Sequence, residues 1–380
     1  MTRSKGTILQ IFASATWGGG EKFLCDLARR LADDGRRVVF VSRPSSVLRE
    51  RTACFATTHE EMPLRGAADM VSAVRLARLI LRERPSVIHL HNFKTAFTAI
   101  AAVRLARLLG CRTAPRIIIT RHLVRKGKGG PFYRFIYRNI SRIVFVSELA
   151  RREFLSSCPP VDEAKTAVVH NAVPEVDPAL TAPDLRARFG IVADTPLLLF
   201  CGRLHPEKGI DVLLRACTLL GNRPFALAIV GTGTAEYTDA LHRMVDEQGL
   251  GPRVFFFGFS DATPALMRQA DIAAAPSVVA EAGGPFSTME AMQAGVAAVS
   301  SNNGAQPEFT DHGTDGLLVP PSDASALAAA LAQLLDDKDL RLRIGKAAAR
   351  KFSGALSYES FYKKYLGIYG DADSQDPVNK

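Results

Sequence analysis

No apolar run in this chain approaches the roughly 18–20 residues of a membrane span. The start, MTRSKGTILQIF, lacks the pattern of a signal peptide and enters a strand-like run directly. The six cysteines are scattered, with neither a CxxC pair nor metal-ligand spacing, so they read as reduced thiols, mostly buried, in a cytoplasmic protein. Also missing are the GxGxxG fingerprint with a downstream acid, which argues against a dehydrogenase, and the GK[ST] of a P-loop. No solenoid repeat, low-complexity tract or nucleic-acid-binding motif occurs.

What is present is a 380-residue chain, long enough for two domains. Its net charge of +10 is uneven. Residues 1–175 hold 30 Lys+Arg against 14 Asp+Glu, and residues 176–380 hold 18 against 24. A basic first half suits an anionic partner such as a membrane surface or a phosphorylated acceptor; solvated arginines would give the same count.

Short β-rich runs alternate with amphipathic helices, as in Thr7–Phe12, Arg37–Val41, Val87–Leu90, Arg116–Thr120, Arg142–Val146 and Ala167–Val169. That alternation predicts βαβ units around a parallel sheet. A proline-rich stretch from Pro174 to Pro196 interrupts it and reads as a linker with one short helix. It then resumes with Leu197–Cys201, Ala226–Val230, Val254–Phe257, Ile272–Ala275, Ala297–Ser300 and Leu317–Val319. The expected organisation is α/β: a Rossmann-like domain over 1–175, a linker over 176–195, a second Rossmann-like domain over 196–354, and a closing helix over 355–380. Ligands of such sheets bind at strand carboxyl ends, and two doubly wound domains would face a cleft.

Several motifs fall at those strand ends. In TWGGGEKF, Gly18, Gly19 and Gly20 precede a helix and could cradle a phosphate with backbone amides; a tight βα turn would use the same glycines. HLHNFK places His89 and His91 on one face of a strand, with no third metal ligand evident. TRH ends in His122, beside Arg121, Arg125, Lys126 and Lys128. In CGRLHPEKGID, Arg203 and Lys208 flank a turn before a helix, a suitable clamp for a diphosphate. VGTGTAEY supplies Gly231. FFFGF supplies Gly258 and Phe259, where an apolar strand end suits a nucleobase and core packing is equally natural. PSVVAEAGGPFSTMEAMQAG carries Glu281, Gly283, Gly284 and Glu290 around a helix start. Carboxylates there would repel phosphate and accept hydrogen bonds from hydroxyl groups, so phosphates and hydroxyls together suggest a sugar nucleotide. The aromatic stripe Phe361, Tyr362, Tyr365, Tyr369 reads as core packing.

In this order and spacing, GGGEK, GRLHPEKGID, VGTGTAEY, FFGF and E…EAMQAG resemble the GT-B glycosyltransferases, specifically the retaining family 4, or glycosyl transferase group 1 type, over residues 6–370. The resemblance implies a retaining transfer from a nucleoside diphosphate sugar to an acceptor hydroxyl, with no metal or other cofactor. It implies that Arg203 and Lys208 hold the donor diphosphate, Glu281 the sugar hydroxyls and Glu290 the ribose. Gly18–Gly20 would lie near the diphosphate, and His122 beside the donor sugar. The closing helix would cross back to the first domain. One departure stands out: the family's two glutamates are separated by seven residues, Glu281 and Glu290 by eight. The Gly283–Gly284 pair is where a loop absorbs one residue cheaply; otherwise Ala282 takes the first glutamate's place. A lipopolysaccharide, glycolipid or other cell-envelope acceptor is expected. Gly129–Arg142, rich in aromatic and basic residues, is a candidate for contact with an anionic inner membrane surface. A GT-B epimerase and an inactive sugar-nucleotide-binding relative are the alternatives.

Overall fold

The computed structural model describes residues 6–13, 19–56, 58–67 and 69–370. They form two units. One comprises the described residues up to Asn171 together with Glu359–Gly370; the other is Ala172–Tyr358.

The first unit has seven strands: β1 (Ile8–Phe12), β2 (Val38–Ser42), β3 (Thr58–Glu61), β4 (Val87–Leu90), β5 (Arg116–Arg121), β6 (Arg142–Phe145) and β7 (Thr166–Val168). They pair in parallel in the order β3-β2-β1-β4-β5-β6-β7. β1, β2 and β4 are buried along their whole length, so helices cover both faces and the sequences read as apolar runs. The strand absent from the sequence reading is β3. Its residues THEE are half-buried at the sheet edge, where polar side chains deter further pairing and hide the hydrophobic signal.

The second unit contains β8 (Leu197–Cys201), β9 (Ala226–Val230), β10 (Val254–Gly258), β11 (Ile272–Ala275), β12 (Ala297–Ser301) and β13 (Leu317–Val319). These are parallel in the order β10-β9-β8-β11-β12-β13. This is the doubly wound order whose switch point falls between the first and fourth strands, here β8 and β11. In the first unit the corresponding point lies between β1 and β4.

The stretch Pro174–Pro196 belongs to the second unit. Its helix, Leu185–Phe189, is capped by the Asp184 side chain on the Arg186 and Ala187 amides, and Leu185 is fully buried. The helix Tyr358–Tyr369 packs on the first unit from Glu359 onward. Its stripe Phe361, Tyr362, Tyr365 and Tyr369 is buried, and Phe23 meets Phe361 at 5.4 Å and Tyr365 at 5.9 Å. Of the cysteines, Cys25, Cys201 and Cys217 are buried, whereas Cys54 and Cys158 are exposed and Cys111 lies between. The expectation that most are buried holds for only half of them.

Candidate active site

In the second unit, three strand-end loops are stitched edge to edge. Gly231 N–H donates to the Gly258 carbonyl at 2.8 Å, and Gly202 N–H to that of Val230 at 3.0 Å. Leu204 N–H donates to Thr232 O at 2.9 Å. The glycines allow this approach. A Cβ on Gly231 would lie 1.8 Å from the Gly202 carbonyl oxygen, and one on Gly233 would lie 2.1 Å from that of Leu204. The GTG segment therefore joins neighbouring loops.

The loop after β8 is fastened next to the loop after β11. Pro206–Lys208 forms a short 3-10 turn, and Gly209 follows at φ +70°. A Cβ there would meet the Pro276 carbonyl oxygen at 2.1 Å, and Val278 N–H donates to Glu207 O at 2.9 Å. This seam brings Lys208 to Glu281 across 73 sequence positions, with Nζ–Oε1 at 2.8 Å and each side chain about a quarter exposed. Ser277 Oγ donates to the same Oε1. The Glu281 backbone is held as well: Ala305 N–H donates to its carbonyl at 2.9 Å, and a Cβ on Gly304 would strike Glu281 N and O, both at 2.5 Å. Between Glu281 and the next helix, Ala282–Gly283 forms a turn. Gly284 then takes φ +70° against the Phe309 ring, and the helix Phe286–Ala294 begins.

Arg203 departs from the clamp read in the sequence. It is 62% exposed and faces Glu207 at 3.8 Å, while Lys208 faces Glu281. Glu290 is buried, accepts a hydrogen bond from Thr263 Oγ1 at 3.3 Å, and lines a cavity of about 540 Å³ with Pro264, Arg268, Gln293 and Arg350. None of Arg203, Lys208 or Glu281 borders that cavity. Gly258 ends β10 at φ +89°, and Phe259 is 57% exposed. The other three rings of FFFGF are used inside the unit. Phe255 stacks on Phe189 at 4.9 Å, Phe256 meets His242 at 4.0 Å, and Arg188 lies over Phe257 at 4.3 Å.

In the first unit, Gly18 lies outside the described residues, and Gly19 and Gly20 open the helix Gly19–Asp33. One turn later Phe23 meets the His122 ring edge-on at 4.9 Å. His122 follows β5, is half-buried, and faces His91 through Nε2···Nδ1 at 3.4 Å. Burial pushes its pKa down to about 4 and that of His89 to about 3, and holds His91 well below the usual range. All three are neutral imidazoles at neutral pH. His89 and His91 do share a face, with rings 4.2 Å apart. Among the described residues, no group of three or more His, Cys, Asp or Glu could hold a metal ion.

Ser277, Gly304 and Gln10 escaped the sequence reading. Gly304 and Gln10 matter through partners distant in sequence, Glu281 and His91, and lie in no recognisable motif; Ser277 stands four residues before Glu281 inside PSVVAEAGG, where only the hydrogen bond shows its part.

Two parallel sheets of this order make the fold of the GT-B glycosyltransferases. The fold agrees with a Rickettsia africae glycosyltransferase at TM-score 0.84, 22% identity, covering 97% of this chain and 98% of that one. It also agrees with Anabaena HepE, determined with UDP, at TM-score 0.80 and 20% identity over 95% and 99% of the two chains; HepE has also been determined with UDP-glucose. Residues 182–351 match the glycosyl transferases group 1 model, and residues 17–175 match the glycosyltransferase family 4 model. The GDP-mannose-dependent alpha-(1-6)-phosphatidylinositol monomannoside mannosyltransferase of Mycobacterium tuberculosis is 30% identical over 296 residues, 72% of this chain and 73% of its own length. The chain therefore belongs to glycosyltransferase family 4 and is a glycosyl-transferring enzyme.

Proposed function

We propose that this enzyme moves a sugar from a nucleoside diphosphate sugar to a hydroxyl of a glycan or glycolipid acceptor, with retention of anomeric configuration. The observation that carries the reading is the Lys208–Glu281 pair at the β8/β11 switch point. It sets a diphosphate-seeking cation beside a hydroxyl-seeking carboxylate, the polar requirements of a sugar nucleotide at its reacting bond. The relatives support that donor class: Anabaena HepE has been determined with UDP and UDP-glucose, and the mycobacterial mannosyltransferase is GDP-mannose-dependent.

In this reading the bond from the anomeric carbon to the diphosphate oxygen breaks and negative charge grows on the leaving group. Lys208, with Arg203 turned inward from its exposed position, offsets that charge without a metal. Glu281 orients sugar hydroxyls, Glu290 the ribose, and the backbone around Gly258 and Phe259 the base. The amides of Gly283 and Gly284 lie beside the sugar. The acceptor oxygen bonds the anomeric carbon on the face the diphosphate leaves, and its proton passes to the departing phosphate oxygen.

A thermal-shift panel of UDP, GDP, UDP-glucose and GDP-mannose tests the donor assignment. A nucleotide at a hundred times its Kd stabilises by about 2.7 kcal/mol. In Glu281→Ala the shift with the bare diphosphate persists or grows, up to about fivefold in affinity, because Lys208 loses its competitor. The added shift from the sugar disappears, and transfer falls by about tenfold or more. Unchanged transfer in Glu281→Ala would assign the first-glutamate role elsewhere.

For the acceptor, a glycolipid of a cell envelope reached from the cytoplasmic face of a membrane fits the basic first half and the glycolipid named for the mycobacterial relative. Among the described residues no helix is long and apolar enough to cross a membrane. Much of the helix Pro131–Asn139 is committed internally. Ile136 and Tyr137 are buried, Phe135 lies under Arg104 at 4.6 Å, and Phe132 stacks on Phe97 at 5.5 Å. Leu123 and Phe132 stay 57% and 43% exposed among Arg125, Lys126, Lys128 and Arg134. The enzyme should float with vesicles containing anionic lipid at low salt, less so as Leu123→Glu/Phe132→Glu. Absence from the vesicle fraction at every salt concentration removes the membrane surface as a partner.

A further inference from the structure

The buried face of the first sheet under the helix Tyr358–Tyr369 carries a continuous polar chain. His91 Nε2 is 2.8 Å from Gln10 Oε1, and Gln10 Nε2 is 3.4 Å from the Tyr369 hydroxyl. That hydroxyl is 2.8 Å from His89 Nδ1. His89 Nε2 is 2.8 Å from Thr120 Oγ1, which is 3.0 Å from the Tyr365 hydroxyl. Gln10, His89 and Thr120 are fully buried, and His91 nearly so.

The Gln10 side chain, with its oxygen toward His91 and its amide toward Tyr369, sets the direction of the links. The Gln10 oxygen can only accept, so His91 donates from Nε2. A neutral His91 then has a bare Nδ1, and the proton between it and His122 must sit on His122 Nε2. At the other end the Gln10 amide donates to the Tyr369 oxygen. The nearest acceptor for the Tyr369 proton is His89 Nδ1 at 2.8 Å, and with the proton there His89 donates from Nε2 to Thr120. Every hydrogen bond from His122 to Thr120 runs one way, an arrangement in which each link polarises the next. The links at 3.4 Å, His122–His91 and Gln10–Tyr369, are the weakest. Burial holds all three rings neutral, so each has a single tautomer to choose.

We propose that His91 is a positioning residue: the chain Tyr369–Gln10–His91 holds His122 as its Nε2–H tautomer and leaves Nδ1 as the ring's acceptor for a ligand hydroxyl. The proposal rests on the reading of His122 as a residue beside the donor sugar. It gives that residue a defined polarity, accepting rather than donating, and gives the C-terminal helix a part in setting it. The one-turn contact of Phe23 with the His122 ring fixes the ring plane while His91 fixes the proton.

The direct test is long-range nitrogen–proton NMR of the histidine-labelled enzyme at neutral pH. The expected spectrum has His122 protonated at Nε2 and bare at Nδ1; protonation at Nδ1 overturns the proposal. Tyr369→Phe removes one hydroxyl, releases the Gln10 amide to turn over, and should introduce a second His122 population protonated at Nδ1. In His91→Leu the release of nucleoside diphosphate from UDP-glucose or GDP-mannose should fall about tenfold in kcat with KM little changed. His91→Gln, whose side-chain oxygen can accept from His122, should restore most of it. If Tyr369→Phe and His91→Leu both leave the His122 tautomer unmixed, the relay is wrong. If the tautomer responds as described but His122→Ala keeps full turnover, the relay stands as structure and the placement of His122 beside the sugar fails.

Discussion

Lys208→Ala lowers turnover by about 10²–10³-fold and leaves the enzyme folded. The size is that of losing one preorganised charge at a developing oxyanion. The fold should survive because Lys208 lies at a turn, about a quarter exposed, and its partner Glu281 keeps Ser277. A partly exposed pair of this kind contributes about 0–1 kcal/mol to stability. The turn itself is held by backbone, through Gly209 against Pro276 and Val278 N–H on Glu207, and neither contact involves the lysine side chain. Single-turnover release of nucleoside diphosphate beside circular dichroism separates the two quantities. Lys208→Arg keeps the charge on a planar fork that does not replace a point ammonium, and should recover only part of the rate. Near-normal turnover in Lys208→Ala would remove the diphosphate role, and with it the main support for the proposed chemistry.

Gly231→Ala destabilises the second unit by about 2–5 kcal/mol, by adding backbone strain to overpacking. Gly231 sits at φ +144°, a region closed to L side chains, and its Cβ would stand 1.8 Å from the Gly202 carbonyl oxygen. That carbonyl has little room to retreat. Gly202 N–H is bonded to Val230 on one side, and Leu204 N–H to Thr232 on the other. Moving it would drag the Arg203–Lys208 turn away from Glu281, so activity should fall along with stability. Gly251→Ala is the control, since nothing lies within 4 Å of a Cβ there and its φ is not positive. Denaturant unfolding of both variants, followed by a probe in the second unit, reads the difference. Equal midpoints would mean that the loop seam is softer than its spacing implies.

The strands were legible where burial on both faces made them apolar. Val87–Leu90, Leu197–Cys201, Ala226–Val230, Ile272–Ala275 and Leu317–Val319 have the bounds read from the sequence. Strand β3 was not legible, because an edge strand written THEE carries no hydrophobic period. The glycines of GTG join neighbouring loops, which their motif did not show. Sequence shows that a residue lacks a side chain, but not what occupies the space. Arg203 and Lys208 looked like one clamp because they are neighbours in sequence, yet the 3-10 turn between them sends them to different carboxylates.

By itself, then, the sequence determined the alternating βαβ plan and the chemical types gathered at strand carboxyl ends: Lys208 after one strand, Glu281 after another, His122 after a third. Both depend on local periodicity and local turn chemistry, which a chain carries along its length. Tertiary structure decided which strand ends are neighbours. The order β10-β9-β8-β11 puts the loops holding Lys208 and Glu281 side by side, and the helix Tyr358–Tyr369 brings Tyr365 and Tyr369 beneath β1, β4 and β5 to complete the histidine chain. Strand order and helix docking follow from crossovers and from burial against distant residues, and no local pattern encodes them.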